Sequence, residues 1–252
     1  MKRKKLVCTL LAAAVSLSLL SGCGVDDVAD AVKDAAGEAA NTVSEIGEKI
    51  KDSEPTYDVG EGTVSFRKDM ISQWVSVSVP VKNTGNVDLY LSSCTIDLEN
   101  ENGELVDTLE YVSVYPQVLK PGETAYYFEE TTYDGEETNG IKALPHVKVE
   151  KAKVDCIRYE LSEVQVKDTD FLGAQISGRV ENTTEEKGEM VYIVANLFDA
   201  DGAMIGQAFT ILTDDLAAGD KIGFELSSLS SELKAKDIAS YEVYAFPFQY
   251  QF

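Results

Sequence analysis

The sequence predicts an all-β fold: two tandem antiparallel β-sandwich domains, placed after a signal peptide and a partly helical stalk. Three observations carry this. From Tyr57 onward apolar residues alternate with polar ones, most cleanly in Trp74-Val75-Ser76-Val77-Ser78-Val79-Pro80-Val81, which puts the valines on one face of a strand. Short runs of this kind, broken by Gly, Pro, Asn and Asp, recur at the spacing of sandwich strands. The second half of the chain then repeats landmarks of the first at a near-constant offset.

Composition narrows the functions available. The 252 residues carry 44 acidic side chains against 22 basic ones, a formal net charge of −22. A phosphate backbone repels such a polyanion, so nucleic acid is excluded as a partner. Hydrophobic residues make up 44% of the chain, enough for packed cores. A single histidine, His146, leaves little material for histidine metal sites or catalytic triads.

Residues 1–22 read as a signal peptide. Lys2, Arg3, Lys4 and Lys5 form a positive n-region, and Leu6 to Leu20 an apolar core too short for a spanning helix, which needs ~20 residues. Leu20-Ser21-Gly22-Cys23 closes it and resembles the bacterial lipobox, L-[AST]-[GA]-C. The resemblance implies cleavage between Gly22 and Cys23 and diacylglyceryl modification of Cys23. The expected location is the cell membrane, lipid-anchored and facing the extracellular side, and the chain's contact with the membrane runs through that N-terminal lipid. Loss of residues 1–22 removes four basic residues and no acidic ones, leaving 18 basic against 44 acidic, a formal −26.

Residues 23–55 form the lipidated N-terminus and an acidic stalk. Val25, Val28, Val32, Ala35, Ala39, Val43, Ile46 and Ile50 recur at three- and four-residue steps, a thin helical stripe. Gly37, Asn41 and Gly47 weaken it, and Pro55 ends it.

The first sandwich is assigned to residues 56–152, with strands near 63–68, 74–83, 90–100, 105–114, 124–133 and 146–155. The second is assigned to 153–252, with strands near 159–168, 173–182, 189–200, 203–212, 220–228 and 241–250. Met190 to Leu197 is a more continuously apolar run, as a strand buried on both faces would be. Val81-Lys82-Asn83-Thr84-Gly85 aligns with Val180-Glu181-Asn182-Thr183-Thr184 at an offset of 99, and Gly103 falls on Gly202 at the same offset. Leu119-Lys120-Pro121-Gly122-Glu123 aligns with Leu216-Ala217-Ala218-Gly219-Asp220 at 97, which brings Tyr127 onto Phe224. Each landmark has a physical reading. An asparagine after a strand bonds its own backbone, Asn-Gly and Asp-Gly supply the positive φ of a hairpin, and Pro-Gly opens a turn.

These landmarks resemble the FxLYD module of secreted and lipid-anchored bacterial proteins. The second copy carries its pattern through Gly178, Val180, Asn182, Asn196-Leu197-Phe198-Asp199, Gly202, Gly219 and Phe224, with Phe198 in place of the usual Tyr. The first copy departs from it, with Asp97-Leu98-Glu99-Asn100 at the name-giving motif. The resemblance implies Ig-like sandwiches without established catalytic residues.

Candidate chemistry is sparse. Asp199-Ala200-Asp201-Gly202 opens like a calcium loop, but positions five, six and twelve hold Ala203, Met204 and Thr210, so a hairpin turn fits better and no metal site is assigned. No G-x-S-x-G, H-E-x-x-H or P-loop pattern occurs, and neither an enzyme activity nor a cofactor is assigned. Cys94 and Cys156 remain after cleavage; a disulfide between them and two reduced thiols are both open. The aromatics stand out. Tyr244, Phe246, Phe248, Tyr250 and Phe252 share one face of the last strand, and Trp74 lies opposite its strand's valines. They form a candidate binding surface, because aromatics bring large apolar area with few rotatable bonds. The alternative is that the stripe is core and Trp74 packs between the sandwiches. The expected function is a non-enzymatic binding module for an envelope protein or glycan; the second reading is a structural spacer or accessory subunit of a membrane complex, and the third an enzyme with an unrecognised site.

Overall fold

The computed structural model describes residues 54–136, 138–169, 173–227 and 233–248. Gly22, Cys23 and the stalk up to residue 53 lie outside the described residues, as do Tyr250 and Phe252. Pro55–Phe252 forms one compact unit. Among the described residues it is built of antiparallel strands, with one short 3-10 turn at Ala235–Asp237. No described helix is long and apolar enough to cross a membrane.

The first set of strands comprises β1 (Tyr57–Val59), β2 (Thr63–Lys68), β3 (Gln73–Asn83), β4 (Leu89–Leu91), β5 (Cys94–Glu99), β6 (Leu105–Val112), β7 (Val114–Tyr115), β8 (Val118–Leu119), β9 (Thr124–Thr132), β10 (Lys142–His146) and β11 (Val149–Lys151). A front sheet joins β1, β2, β3, β9 and β7, and a back sheet runs β10-β5-β6; a small third sheet, β11-β4-β8, closes one end. Val75, Val77, Val79 and Val81 of β3 face Ile96 and Leu98 of β5 across a core completed by Leu89, Leu91, Leu119 and Tyr127, all fully buried. Burial of each such aliphatic side chain contributes ~1.5–3 kcal/mol. Pro80 sits inside β3 yet costs little there. Its position falls where the neighbour of β3 changes from β2 to β1, and its carbonyl accepts the Gly60 N–H at 2.9 Å.

Three expected strands are corrected. The run at 105–114 ends at Val112 in the back sheet, and Val114–Tyr115 pairs with β9 in the front sheet instead. The run at 90–100 divides into β4 and β5, because the chain leaves the small sheet and enters the back sheet at Ser92-Ser93. The strand expected at 146–155 starts earlier: His146 is the last residue of β10, with Pro145 tolerated in a strand at the margin of its sheet.

The second set comprises β12 (Glu160–Thr169), β13 (Gly173–Glu181), β14 (Val191–Phe198), β15 (Met204–Leu212), β16 (Lys221–Ser227) and β17 (Ser240–Pro247). Its front sheet is β12-β13-β16 and its back sheet β15-β14-β17, around a core that includes Ile176, Val180, Ile193, Ala195, Leu197 and Leu226. The pairings repeat those of the first set. β12-β13-β16 corresponds to β2-β3-β9, and β17-β14-β15 to β10-β5-β6. Register agrees as well: Lys82↔Thr124 becomes Glu181↔Lys221, and Glu99↔Leu105 becomes Phe198↔Met204, each of the latter pair following a bulge.

The turns repeat atom by atom. Asn83 Nδ2 donates to the carbonyls of Val87 and Leu119 at 2.8 and 3.1 Å; Asn182 Nδ2 donates to those of Glu186 and Leu216, both at 2.8 Å. Each asparagine is fully buried and holds the Gly122 or Gly219 N–H on its own carbonyl. Asn100 Oδ1 accepts the N–H groups of Asn102 and Glu104, and Asp199 Oδ1 those of Asp201 and Ala203. The Asp199 carboxylate is thus occupied by the hairpin turn that the sequence favours. Glycine follows in both hairpins at positive φ, 78° for Gly103 and 81° for Gly202.

Candidate functional site

The described residues of the aromatic stripe, Tyr244, Phe246 and Phe248, are taken up in a seam between the two sandwiches. Phe246 is buried, and Tyr244 and Phe248 are half-buried. Tyr192 stacks on Phe246 and Phe248 with centroids 6.0 and 5.3 Å apart, and Tyr115 of the first sandwich reaches across to Tyr192 at 5.9 Å and Phe246 at 6.3 Å. Arg158, in the connection between the sandwiches, lies over the rings of Tyr244 and Phe246 at 5.9 and 5.7 Å. Its Nη2 donates to the Val118 carbonyl at 2.6 Å and to Glu123 Oε2 at 3.1 Å. The free space left beside these rings is about 10 Å³, room for no more than a water. Burial, followed by the charge of Glu242, pushes the Tyr244 phenol well above its usual range.

Further along the seam Tyr126 meets Phe198 edge-on at 5.2 Å, and Phe128, Phe198 and Met204 are buried together. The outer face of the first front sheet therefore packs on the outer face of the second back sheet. This explains why β14 is apolar on both faces apart from Asn196: Ile193, Ala195 and Leu197 fill their own core while Val194 and Phe198 fill the seam. The described part of the stripe, Tyr244, Phe246 and Phe248, is neither an open binding face nor the inward face of its sandwich, since Ala245 fills that role. Alternation identifies residues that share a face but not what covers it. Arg158 carried no sequence signal, being one cation in an irregular connection.

Trp74 is half-buried and held by its own sandwich. Its Nε1 donates to Asp69 Oδ2 at 2.8 Å, and the Arg67 guanidinium stacks on its ring at 4.7 Å while pairing with Glu130 at 2.8 Å. Asp69 also accepts the backbone N–H groups of Ile71 and Ser72 at 2.7 and 2.6 Å, and its own N–H donates to the Ser72 carbonyl. The N–H of Ser72, then that of Ile71, then the Trp74 indole, hold the Asp69 carboxyl below its usual range. On this framed turn stand Met70 and Ile71, 100% and 92% exposed. The signal for them was present in the sequence: two adjacent aliphatic residues in a β2–β3 turn of otherwise polar chemistry.

A third feature lies on the outer face of the second front sheet. Glu163, Gln165, Ser177, Arg179, Gly223 and Glu225 line an open trough of about 460 Å³. Gly223 gives it a floor without a side chain. Glu163 stands on a bulge of β12 at φ 56°, where its carboxylate accepts from Arg179 Nε at 3.1 Å. The Ser177 hydroxyl is buried with no hydrogen-bond partner.

The remaining candidates sit apart. Cys94 and Cys156 are both free thiols. Burial pushes Cys94 up to about 12, so it is protonated and inert at neutral pH. His146 Nε2 lies 2.7 Å from Asp97 Oδ2 on the outer face of the first back sheet, where Thr108 donates to the other oxygen of the same carboxylate at 2.9 Å. Among the described residues no group of three or more His, Cys, Asp and Glu is arranged to hold a metal ion. No protein-family model matches the chain, and a search of curated proteins finds no match.

Proposed function

We propose that the chain is a lipid-anchored envelope protein acting as a non-enzymatic interaction module, with two sandwiches of FxLYD type carried outside the membrane on Cys23. The observation that carries the binding role is the open trough on the second front sheet. The same face of the first sandwich is a docking face, covered by its neighbour through Ser78, Tyr126 and Phe128. In the second sandwich Ser177, Gly223 and Glu225 occupy the matching positions and leave the face open. Its lining of amide, hydroxyl, guanidinium and carboxylate groups suits a hydroxyl-rich ligand that both donates and accepts, which makes an envelope glycan the favoured class.

The test is co-sedimentation of the full chain with insoluble cell-wall glycan, native against Gly223→Tyr. A Cβ on Gly223 meets nothing closer than 3.9 Å, so the variant folds while its ring fills the trough. Retention of the native chain and its loss in Gly223→Tyr is the expected result. Equal retention of both moves the site elsewhere. No retention of either ends the glycan reading, and crosslinking in intact cells then asks for a protein ligand.

The seam supports the second reading, a structural spacer. Aromatic residues that would otherwise serve recognition hold the two sandwiches together, as a spacer requires.

A further inference from the structure

The Met70-Ile71 turn lies away from the trough and bears on a different partner. We infer that this turn is a shallow membrane-insertion tip, which dips into the lipid interface and gives the anchored protein a second, weak contact with the bilayer.

The composition of the tip suits an interface. Two aliphatic side chains stand outermost, fully in solvent. Behind them is Trp74, an amphipathic ring whose N–H is already satisfied by the Asp69 carboxylate of the turn. Arg67 lies level with it, stacked on the ring, and Lys68 one register step nearer the turn, both long stems with charged heads. Aliphatic side chains outermost, backed by an indole and two cations, form a grouping that bilayers select, because indole rings and snorkelling cations sit at the head-group level. Exposed N–H groups oppose entry into lipid, and here those of Asp69, Ile71 and Ser72 are bonded within the turn. The same bonds hold the tip in shape before contact, so little ordering entropy is lost on insertion.

A protein socket fits less well. A stable protein interface covers about 800 Å² on each partner, more than two adjacent side chains supply. A bilayer asks for no such footprint. Two residues give only weak insertion by themselves, but a chain fixed to the membrane by Cys23 meets that surface at high effective concentration. The tip lies at the Gln73 end of β3, and the chain comes from the stalk at the Asn83 end, where Tyr57 pairs. An eleven-residue strand spans about 34 Å. Residues 23–53 lie between the lipid and the folded unit, and a chain of that length reaches up to about 100 Å, so the separation is no obstacle. The net negative charge of the protein makes neutral lipid the preferred surface.

Trp74 is the chain's single tryptophan, which makes it a reporter of the tip. The lipidated full chain is incorporated into phosphatidylcholine vesicles with and without brominated acyl chains, and its emission is followed. The inference rests on the Cys23 anchor only for holding the chain at the vesicle. Loss of most Trp74 emission in brominated vesicles, abolished in Met70→Ser/Ile71→Ser, is the expected result. Both residues are exposed, so the double variant keeps its unfolding midpoint. Unquenched emission from a chain that floats with the vesicles overturns the tip while leaving the anchor standing. A chain that does not float with vesicles at all overturns the anchor and the tip together.

Discussion

Asp97 and Thr108 lie side by side on the outer face of the first back sheet, bonded at 2.9 Å and half-exposed; Asn196 and Gln207 hold the matching positions in the second, bonded at 2.9 Å and buried. The same scaffold has been finished for water on one side and for protein on the other. Glu99 and Leu105 become Phe198 and Met204, and exposure falls from 61% at Leu105 to 8% at Met204. The front sheets differ in the opposite sense, with Tyr126 and Phe128 of the first answered by Gly223 and Glu225 of the second. Each sandwich gives one outer face to the seam and leaves the other to solvent, polar at Asp97, Thr108, Gly223 and Glu225 but with Leu105 and Leu144 exposed on the first back sheet. Two docking faces, one from each sandwich, describe a head-to-tail pairing.

Exchanging a seam residue between the sandwiches tests this most severely. Phe198→Glu installs the first sandwich's residue in the second and buries a carboxylate against Tyr126, for a loss of about 3–5 kcal/mol. Urea unfolding should then separate into two transitions where the native chain is expected to give one. The reverse exchange, Glu99→Phe, is expected to change stability by no more than about 0.5 kcal/mol. An equal loss from both exchanges would mean that the exposed back sheet has a partner of its own.

The shared scaffold predicts equality where the seam predicts contrast. Asn83→Ala and Asn182→Ala each strip two carbonyls of a buried amide donor and one N–H of its acceptor, and at Asn182 the Thr184 hydroxyl loses its acceptor as well. Each should lose about 2–3 kcal/mol by denaturant titration. An inequality larger than that one extra hydroxyl explains would show that the two turns match in geometry but not in energetics.

What the sequence revealed follows the same division. Turn chemistry is local, so Asn83, Asn182, Gly103, Gly202, Pro121-Gly122 and Gly219 were readable, and with them the repeat. Alternation is local too, and it located nearly every strand. The seam is not local. Nothing near Phe246 says that Tyr115, more than a hundred residues earlier, will cover it. The apolar run of β14 did announce two buried faces, though not the element against the second. The break between β4 and β5 was hidden because Leu89, Leu91, Cys94 and Ile96 remain apolar through the change of sheet.

Cys94 and its counterpart Ile193 extend the comparison to the cores. Both are buried on the inward face of a back sheet, but only the cysteine can ionise. Its pKa in the fold is raised from 9.0 to about 12, so the unfolded chain releases the proton first as pH rises. The stability this thiol contributes is complete below pH 9.0 and is lost as pH climbs towards about 12. Cys94→Val should flatten that alkaline decline in urea midpoints. In the native protein at pH 8 maleimide should leave Cys94 unlabelled until denaturant is added.

The smallest expected effect has opposite signs at two neighbouring glycines. Gly178 points inward, where a Cβ would stand 2.8 Å from the ring of buried Phe224. Gly223, on the adjacent strand β16, points outward with nothing nearer than 3.9 Å. Gly178→Ala therefore forces the Phe224 ring to shift and should cost about 1–2 kcal/mol. Gly223→Ala removes backbone freedom from the unfolded chain without a clash and should stabilise by about 0.4–1 kcal/mol. If it does, no folding requirement keeps residue 223 bare, and the missing side chain is left to the trough. A loss of stability in Gly223→Ala would instead tie that glycine to the sheet itself, and the open face would be a by-product of strand packing.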